Sequence, residues 1–202
     1  MLEGTAMVLL LVVLLLVSAC SGDGAERAGE RTTTTTTEPG SCSGADLVTT
    51  TDVPSDVPEE VATTLMAARS AAQRCDYREL ADLALADGDF TASFGEGFDD
   101  AGSLADHWQQ LEHVDGEPLT ARIVRLVQLP KAMVRTTGTT GEPETIYVSP
   151  RALHEDSEEA RQEVVEAFGA EAETWWAADD QYVGWRIGVS DSGEWRFLVH
   201  GD

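Results

Sequence analysis

Ten consecutive aliphatic residues, Val8 to Val17, form the longest hydrophobic run in this chain. A run this short does not cross a hydrocarbon core of about 30 Å, but it has the length of the apolar core of an export signal. Hydrophobic patterning then stops. Residues 21–41, SGDGAERAGERTTTTTTEPGS, hold no large apolar side chain and include six consecutive threonines, Thr32 to Thr37. This stretch is expected to be a disordered tether whose coil dimension is about 25 Å. Beside Pro39, its Thr run has the composition of O-glycosylated stalks. From Cys42 to Pro54 there is no usable period.

Helical spacing begins at residue 55. Ser55 or Asp56 can cap, Pro58 suits a first turn, and Glu59 and Glu60 complement the helix dipole. Val61, Leu65, Ala68, Ala72 and Cys75 then recur on one face. Asp76 with Glu79 predicts the start of a second helix through Leu80, Leu83 and Ala84. Phe90, Ala92 and Phe94 alternate as in a half-buried strand. Ser103 is the expected cap of a third helix with Leu104, Trp108 and Leu111 inward and His107 and His113 at its flanks. Between Pro118 and Leu129, Leu119, Ile123, Leu126 and Val127 mark an inner face, with Arg122, Arg125 and Gln128 opposite and Pro130 as terminator. Two short strands, Met133 to Arg135 and Ile146 to Ser149, flank a Thr and Gly loop. Ser157 opens a last helix with Ala160, Val164 and Phe168 inward and Gly169 at its end. Trp175 is paired with Trp176, and one of the two is expected in the core.

The most regular text is the end. Val183, Trp185, Ile187 and Val189 alternate with Tyr182, Gly184, Arg186 and Gly188, and after Asp191-Ser192-Gly193 the alternation resumes at Trp195, Phe197 and Val199. This predicts a β-hairpin in which Ser190 faces Glu194 across a three-residue loop with Gly193 in the left-handed position. Strict alternation then sets Val189 opposite Trp195 and Trp185 opposite Val199, making the odd-numbered face core. The even-numbered face gathers Tyr182, Arg186, His200 and Asp202, the candidate binding surface. The fold class expected is α+β: N-terminal helices packed on a small antiparallel sheet that ends in this hairpin.

Charge narrows the partners. The 13 basic and 37 acidic residues give a net charge of −24, or −23 once residues 1–19 and their Glu3 are removed. Nucleic acid, which demands a basic patch, is excluded as an expected partner, and so is electrostatic docking on anionic lipid. Arg far outnumbers Lys, of which Lys131 is the only one.

At the end of the apolar run, Val17-Ser18-Ala19-Cys20 resembles the lipobox of bacterial lipoproteins. The resemblance implies cleavage before Cys20, a diacylglyceryl group on its sulfur, and residence on the outer face of the cell membrane. Residues 1–19 are then signal peptide, 20–54 lipidated cysteine and tether, and 55–202 the extracytoplasmic domain. Met1 to Met7 depart from the usual signal pattern, carrying Glu3 and no Lys or Arg. With Cys20 lipidated, Cys42 and Cys75 remain as an even pair in an oxidising compartment and are expected to form a disulfide. Closing such a loop stabilises by about 4 kcal/mol on a chain-entropy argument. The ending YVGWRIGVSDSGEWRFLVHGD also resembles the close of exported proteins of high-GC Gram-positive, actinobacterial type, a likeness confined to residues 182–202.

No catalytic or metal constellation is expected. The loop FGEGFDDAG lacks the spacing and the terminal bidentate Glu of a calcium loop, and HExxH, GxSxG and P-loop patterns are missing from the sequence. No cofactor is implied. Two function classes remain: a binding or structural module of the cell envelope, with an envelope protein or cell-wall ligand as partner, or an envelope hydrolase or isomerase on an NTF2-like fold. A pocket lined by His200 and Arg186 would favour the second, and a flat or exposed aromatic surface the first.

Overall fold

A computed structural model describes residues 41–49, 56–87, 89–93, 97–137 and 141–201. The expected export signal, Cys20, the Thr32 to Thr37 run, Phe94 and Asp202 lie outside the described residues. Helix α1 (Glu59–Gln73) starts behind Pro58 with two acidic residues in its first turn, and it buries Val61, Leu65, Ala68 and Ala72. Helix α2 (Tyr77–Ala84) is capped by Asp76, whose carboxylate accepts from the Glu79 amide at 2.9 Å. Helix α3 (Ala101–His113) begins earlier than Ser103: Asp100 is the cap, accepting from the amides of Gly102 and Ser103 at 2.7 and 3.0 Å. A carboxylate that reaches two free amides of the first turn leaves Ser103 a helical position. Helix α4 (Leu119–Gln128) stops before Pro130, and α5 (Glu158–Phe168) runs from its Ser157 cap to Gly169 at φ 79°.

Helix α4 has no side-chain cap of its own, because Pro118 precedes it. Its free amides are met from elsewhere: Glu112 of α3 accepts from Thr120 at 2.8 Å, and Ser43 Oγ accepts from Ala121 at 3.1 Å. Ser43 is held there by the adjacent Cys42–Cys75 disulfide, so the cystine anchors the segment 41–49 on the domain. Packed chain thus begins ahead of residue 55. Thr37–Asp202 is a compact unit with its own core and cystine, the anatomy of a chain that folds independently.

The sheet has the order β1-β5-β4-β3-β2, with β1 Thr91–Ala92, β2 Ala132–Thr137, β3 Pro143–Ser149, β4 Arg186–Ser190 and β5 Trp195–Val199. It is antiparallel except at its edge, where the two-residue β1 runs parallel to β5. Helices α1 and α4 pack on β4, and α2 on β5. Ile187, Val189, Trp195 and Leu198 turn toward that side and are buried. Phe90, Trp108 of α3 and Trp195 meet there ring to ring, with centroids 5.4–6.1 Å apart.

The hairpin turn forms as the sequence predicts. Ser190 donates to Glu194 O at 2.9 Å, and Gly193 has φ 89°. Its register beyond the first pair does not follow strict alternation. Val189 faces Trp195, but Gly188 faces Phe197, Ile187 faces Leu198, and Arg186, not Trp185, faces Val199. Arg196 is the extra residue of a β-bulge, and an insertion of one residue sends every later side chain of β5 to the opposite face. Leu198 therefore enters the core, while Phe197 and Val199 leave it.

Candidate functional site

The helices cover one face of the sheet, and the other face carries a groove of about 690 Å³. Pairing register decides its lining. Val134 faces Ile146, Val148 faces Gly188, and Gly188 faces Phe197, so these positions share a face with Arg186 and Val199. Thr91 of β1 extends it, and a 3-10 turn, Arg151–Leu153, brings Leu153 and His154 to its side. Gly188 is required here. A Cβ at this position would stand 2.3 Å from two atoms of the Phe197 ring, which lies across the bare glycine and becomes part of the groove floor.

Of the candidate binding surface named from sequence, Arg186 and His200 come together in this groove. Tyr182 does not join them. It precedes β4, forms an isolated bridge with Trp176, and is buried with its hydroxyl donating to Trp185 O at 2.8 Å. Burial pushes its phenol pKa upward. The alternation read through 182–185 is thus a folded-back segment, not strand. Tyr182 instead packs over Gly184, where a Cβ would meet its ring and that of Trp175.

His200 is tied to Ser93, the residue after β1. Its amide donates to Ser93 Oγ, which in turn donates to His200 O at 3.0 Å. Its ring lies against the indoles of Trp185 and Trp175, at 5.3 and 6.0 Å between centroids. Burial lowers the imidazole pKa, Glu117 opposes this, and Arg122 and Arg186 add to it. Arg186 extends from β4 with Nη1 donating to Gly184 O at 3.3 Å.

Beside His200 stands a residue whose placement overturns an expectation. Arg122, assigned by periodicity to the outer face of α4, is buried, its side chain only 5% exposed. Its Nε donates to Glu117 at 2.9 Å and its two terminal nitrogens fork onto Glu171. The guanidinium also lies over Trp175 and Phe168 at 5.1 and 5.7 Å. Burial works against this charge, and the hydrogen bonds to Glu171 and Glu117 outweigh it, so its pKa is raised. What covers the outer face of α4 is the end of α5 and the 3-10 turn Ala170–Thr174. As expected of the adjacent tryptophans, Trp175 is core and Trp176 half-buried, with Arg161 over its ring at 4.5 Å.

The groove's charge differs from that of its surroundings. Nearly one residue in five of the chain is acidic, yet none of the described groove-lining residues is. Glu144, further along the same face of β3, is occupied by Arg196, with Nε donating at 2.7 Å. By contrast, a second cavity of about 280 Å³ between the 3-10 turn and the start of α5 is lined by Glu155, Asp156, Glu158, Asp179 and Asp180. Among the described residues no group of three His, Cys, Asp or Glu is placed to hold a metal ion. Ser93 spends its hydroxyl on the main chain of His200, so it is not presented to an imidazole as a nucleophile would be.

Sequence reasoning missed Val134, Ile146, Val148 and His154 as lining residues, and took Phe197 and Val199 for core. Val134, Ile146 and Val148 sit on two strands that were expected, but only the pairing register says that they face the groove, and His154 lies in the turn after β3. Compared with family models, curated proteins and solved structures, the chain matches none.

Proposed function

We propose that this chain is a lipid-anchored protein of the outer face of the cell membrane, and that its domain is a binding module working through the groove on the open sheet face. The groove carries this reading: an apolar floor of about the size that accepts one small molecule or one protruding side of a larger partner, with Arg186 to fix orientation. The lipobox-like Val17-Ser18-Ala19-Cys20 and the Thr-rich stretch support the anchoring, and two acyl chains suffice for stable membrane attachment. No described helix is long and apolar enough to cross a membrane. An envelope protein or a cell-wall component is the partner class that such a location offers.

One observation favours the second reading, an envelope hydrolase or isomerase: His200 and Arg186 do line a common groove. Against it, the His200 ring is packed on Trp185 and its neighbour Ser93 is engaged by backbone. The binding reading accounts for the whole floor, the enzymatic one for two residues of it.

Replacing the lipidated residue tests the anchor. Cys20→Ala is expected to move the chain from the membrane to the soluble fraction, or to stop its processing, as read by fractionation and intact mass. Unchanged membrane association with unchanged mass would refute the lipoprotein assignment.

A further inference from the structure

We propose that the Cys42–Cys75 cystine is a redox latch: while intact it holds the segment 41–49 across the N-terminus of α4, and reduction by an external dithiol releases that segment as a unit while the helices and sheet stay folded. The segment is a strap laid over a joint. Its Ser43 amide donates to Glu112 of α3 at 2.7 Å and its Gly44 amide to the Thr120 hydroxyl at 3.0 Å. Ser43 Oγ accepts from the Ala121 amide at 3.1 Å, and Leu47 O accepts from the Gln73 side chain at 3.0 Å. Gly44 sits so close that a Cβ there would stand 3.0–3.1 Å from Ala72 O and from Thr120, which is wholly buried.

Magnitudes decide that the strap depends on its crosslink. Cys42 and Gly44 are buried, but Ser43, Ala45, Asp46 and Val48 are exposed, Val48 by 96%, so little apolar burial holds it. Fixing one residue's backbone costs as much as or more than one hydrogen bond returns net, and a strap with about one bond per residue does not hold itself. The cystine offsets the deficit by denying the open strap its freedom. Helices α1 and α4 pack on each other and bury Val61, Leu65, Ile123 and Leu126, all outside the strap, so the core persists when it leaves.

The other half of the latch closes α1. The Cys75 amide donates to Ala72 O at 3.2 Å and the Asp76 amide to Ala71 O at 2.9 Å, with Cys75 in the left-handed conformation at φ 57°. Helix ends of this form favour Gly at that position, because a Cβ is strained there. The crosslink thus joins a strained helix end to a lightly held strap, and cutting it lets both relax. Cys75 is part-exposed and Cys42 buried, so a reductant thiolate attacks Cys75 Sγ. The S–S bond breaks, and Cys42 leaves as a thiolate and takes a proton. The reductant's second thiol then attacks the mixed disulfide and frees Cys75; two electrons have passed to the cystine, and the dithiol ends as its own disulfide.

The test follows amide hydrogen exchange by NMR in the unit Thr37–Asp202, oxidised and after reduction by dithiothreitol without denaturant, with free thiols counted by alkylation and intact mass. Reduction is expected to speed exchange at Gly44 and Ala121 by at least about tenfold while Ile187 and Ser190 of the sheet stay within about threefold, the pattern of a local opening. Reoxidation is expected to restore the original rates, and the double variant Cys42→Ala/Cys75→Ala to show the reduced pattern with or without dithiothreitol. Unchanged exchange at Gly44 and Ala121 in the reduced protein would overturn the latch, since hydrogen bonds alone would then hold the strap. Equal acceleration in strap and sheet would overturn it from the other side, making the cystine a staple of the whole fold. A cystine that dithiothreitol reduces only in denaturant would overturn it as well.

Discussion

Lys131, the one lysine of the chain, shows what a single residue costs and contributes. Its ammonium donates to Val127 O at 2.7 Å and to Leu129 O, satisfying carbonyls at the end of α4 that have no helical partner. Burial pushes its pKa down to about 7, with Asp56 partly opposing, against about 10.4 in an unfolded chain. Between those values the unfolded chain binds a proton that the folded one does not, so this group's contribution to stability rises with pH from 7 to 10 and is at its lowest below 7. The unfolding free energy of the wild type minus that of Lys131→Met is therefore expected to increase over that range by a few kcal/mol, about 1.4 kcal/mol for each pH unit crossed. A pH-independent difference would contradict a Lys131 whose pKa burial holds near 7. Arg122 is the complementary case, a buried charge kept ionised by Glu117 and Glu171. Neither placement was legible in the sequence: apart from Glu117, the partners of Arg122 are residues 168, 171 and 175, far along the chain, and a 3.6-residue period cannot register a second surface packing on a helix's polar side.

At the scale of elements, helices were legible where capping and period agree. Val61, Leu65, Ala68 and Ala72 are buried as their spacing predicts, and Asp76 caps as its distance from Glu79 predicts. The hairpin turn was legible too, because Asp191-Ser192-Gly193 specifies it locally. The bulge at Arg196 was not, since an extra residue in a strand leaves no mark in an alternating pattern until its partner strand is known. The bulge matters most for the groove: it moves Phe197 onto the groove face opposite Gly188. Gly188→Ala is expected to displace the Phe197 ring and to destabilise by about 1–3 kcal/mol, as overpacking does, measured by urea unfolding together with the ring's proton shifts. Unchanged stability and unchanged Phe197 shifts would mean that the ring does not cover Gly188. The strand at Thr91–Ala92 was legible from its alternation, but its parallel pairing was not, because Thr91 and Phe197 pair across more than a hundred residues.

Taken as a molecule, the fold separates two tasks. One sheet face is spent on the helices and the core, and the segment at Cys42 is fixed to the same unit by its disulfide to Cys75. The other face stays open and carries the apolar stripe, in a chain whose negative charge discourages most other contacts. If this open face is where the molecule meets its ligand, adjacent residues of β2 must behave differently, because Val134 points into the groove while Arg135 lies on the opposite face. A photo-crosslinking side chain is placed at one or the other position in the full chain, irradiated on intact cells, and the adducts are weighed and mapped by mass spectrometry. Adducts are expected from position 134 and not from 135; equal yields from both, or adducts from 135 alone, would contradict a ligand site on the open face.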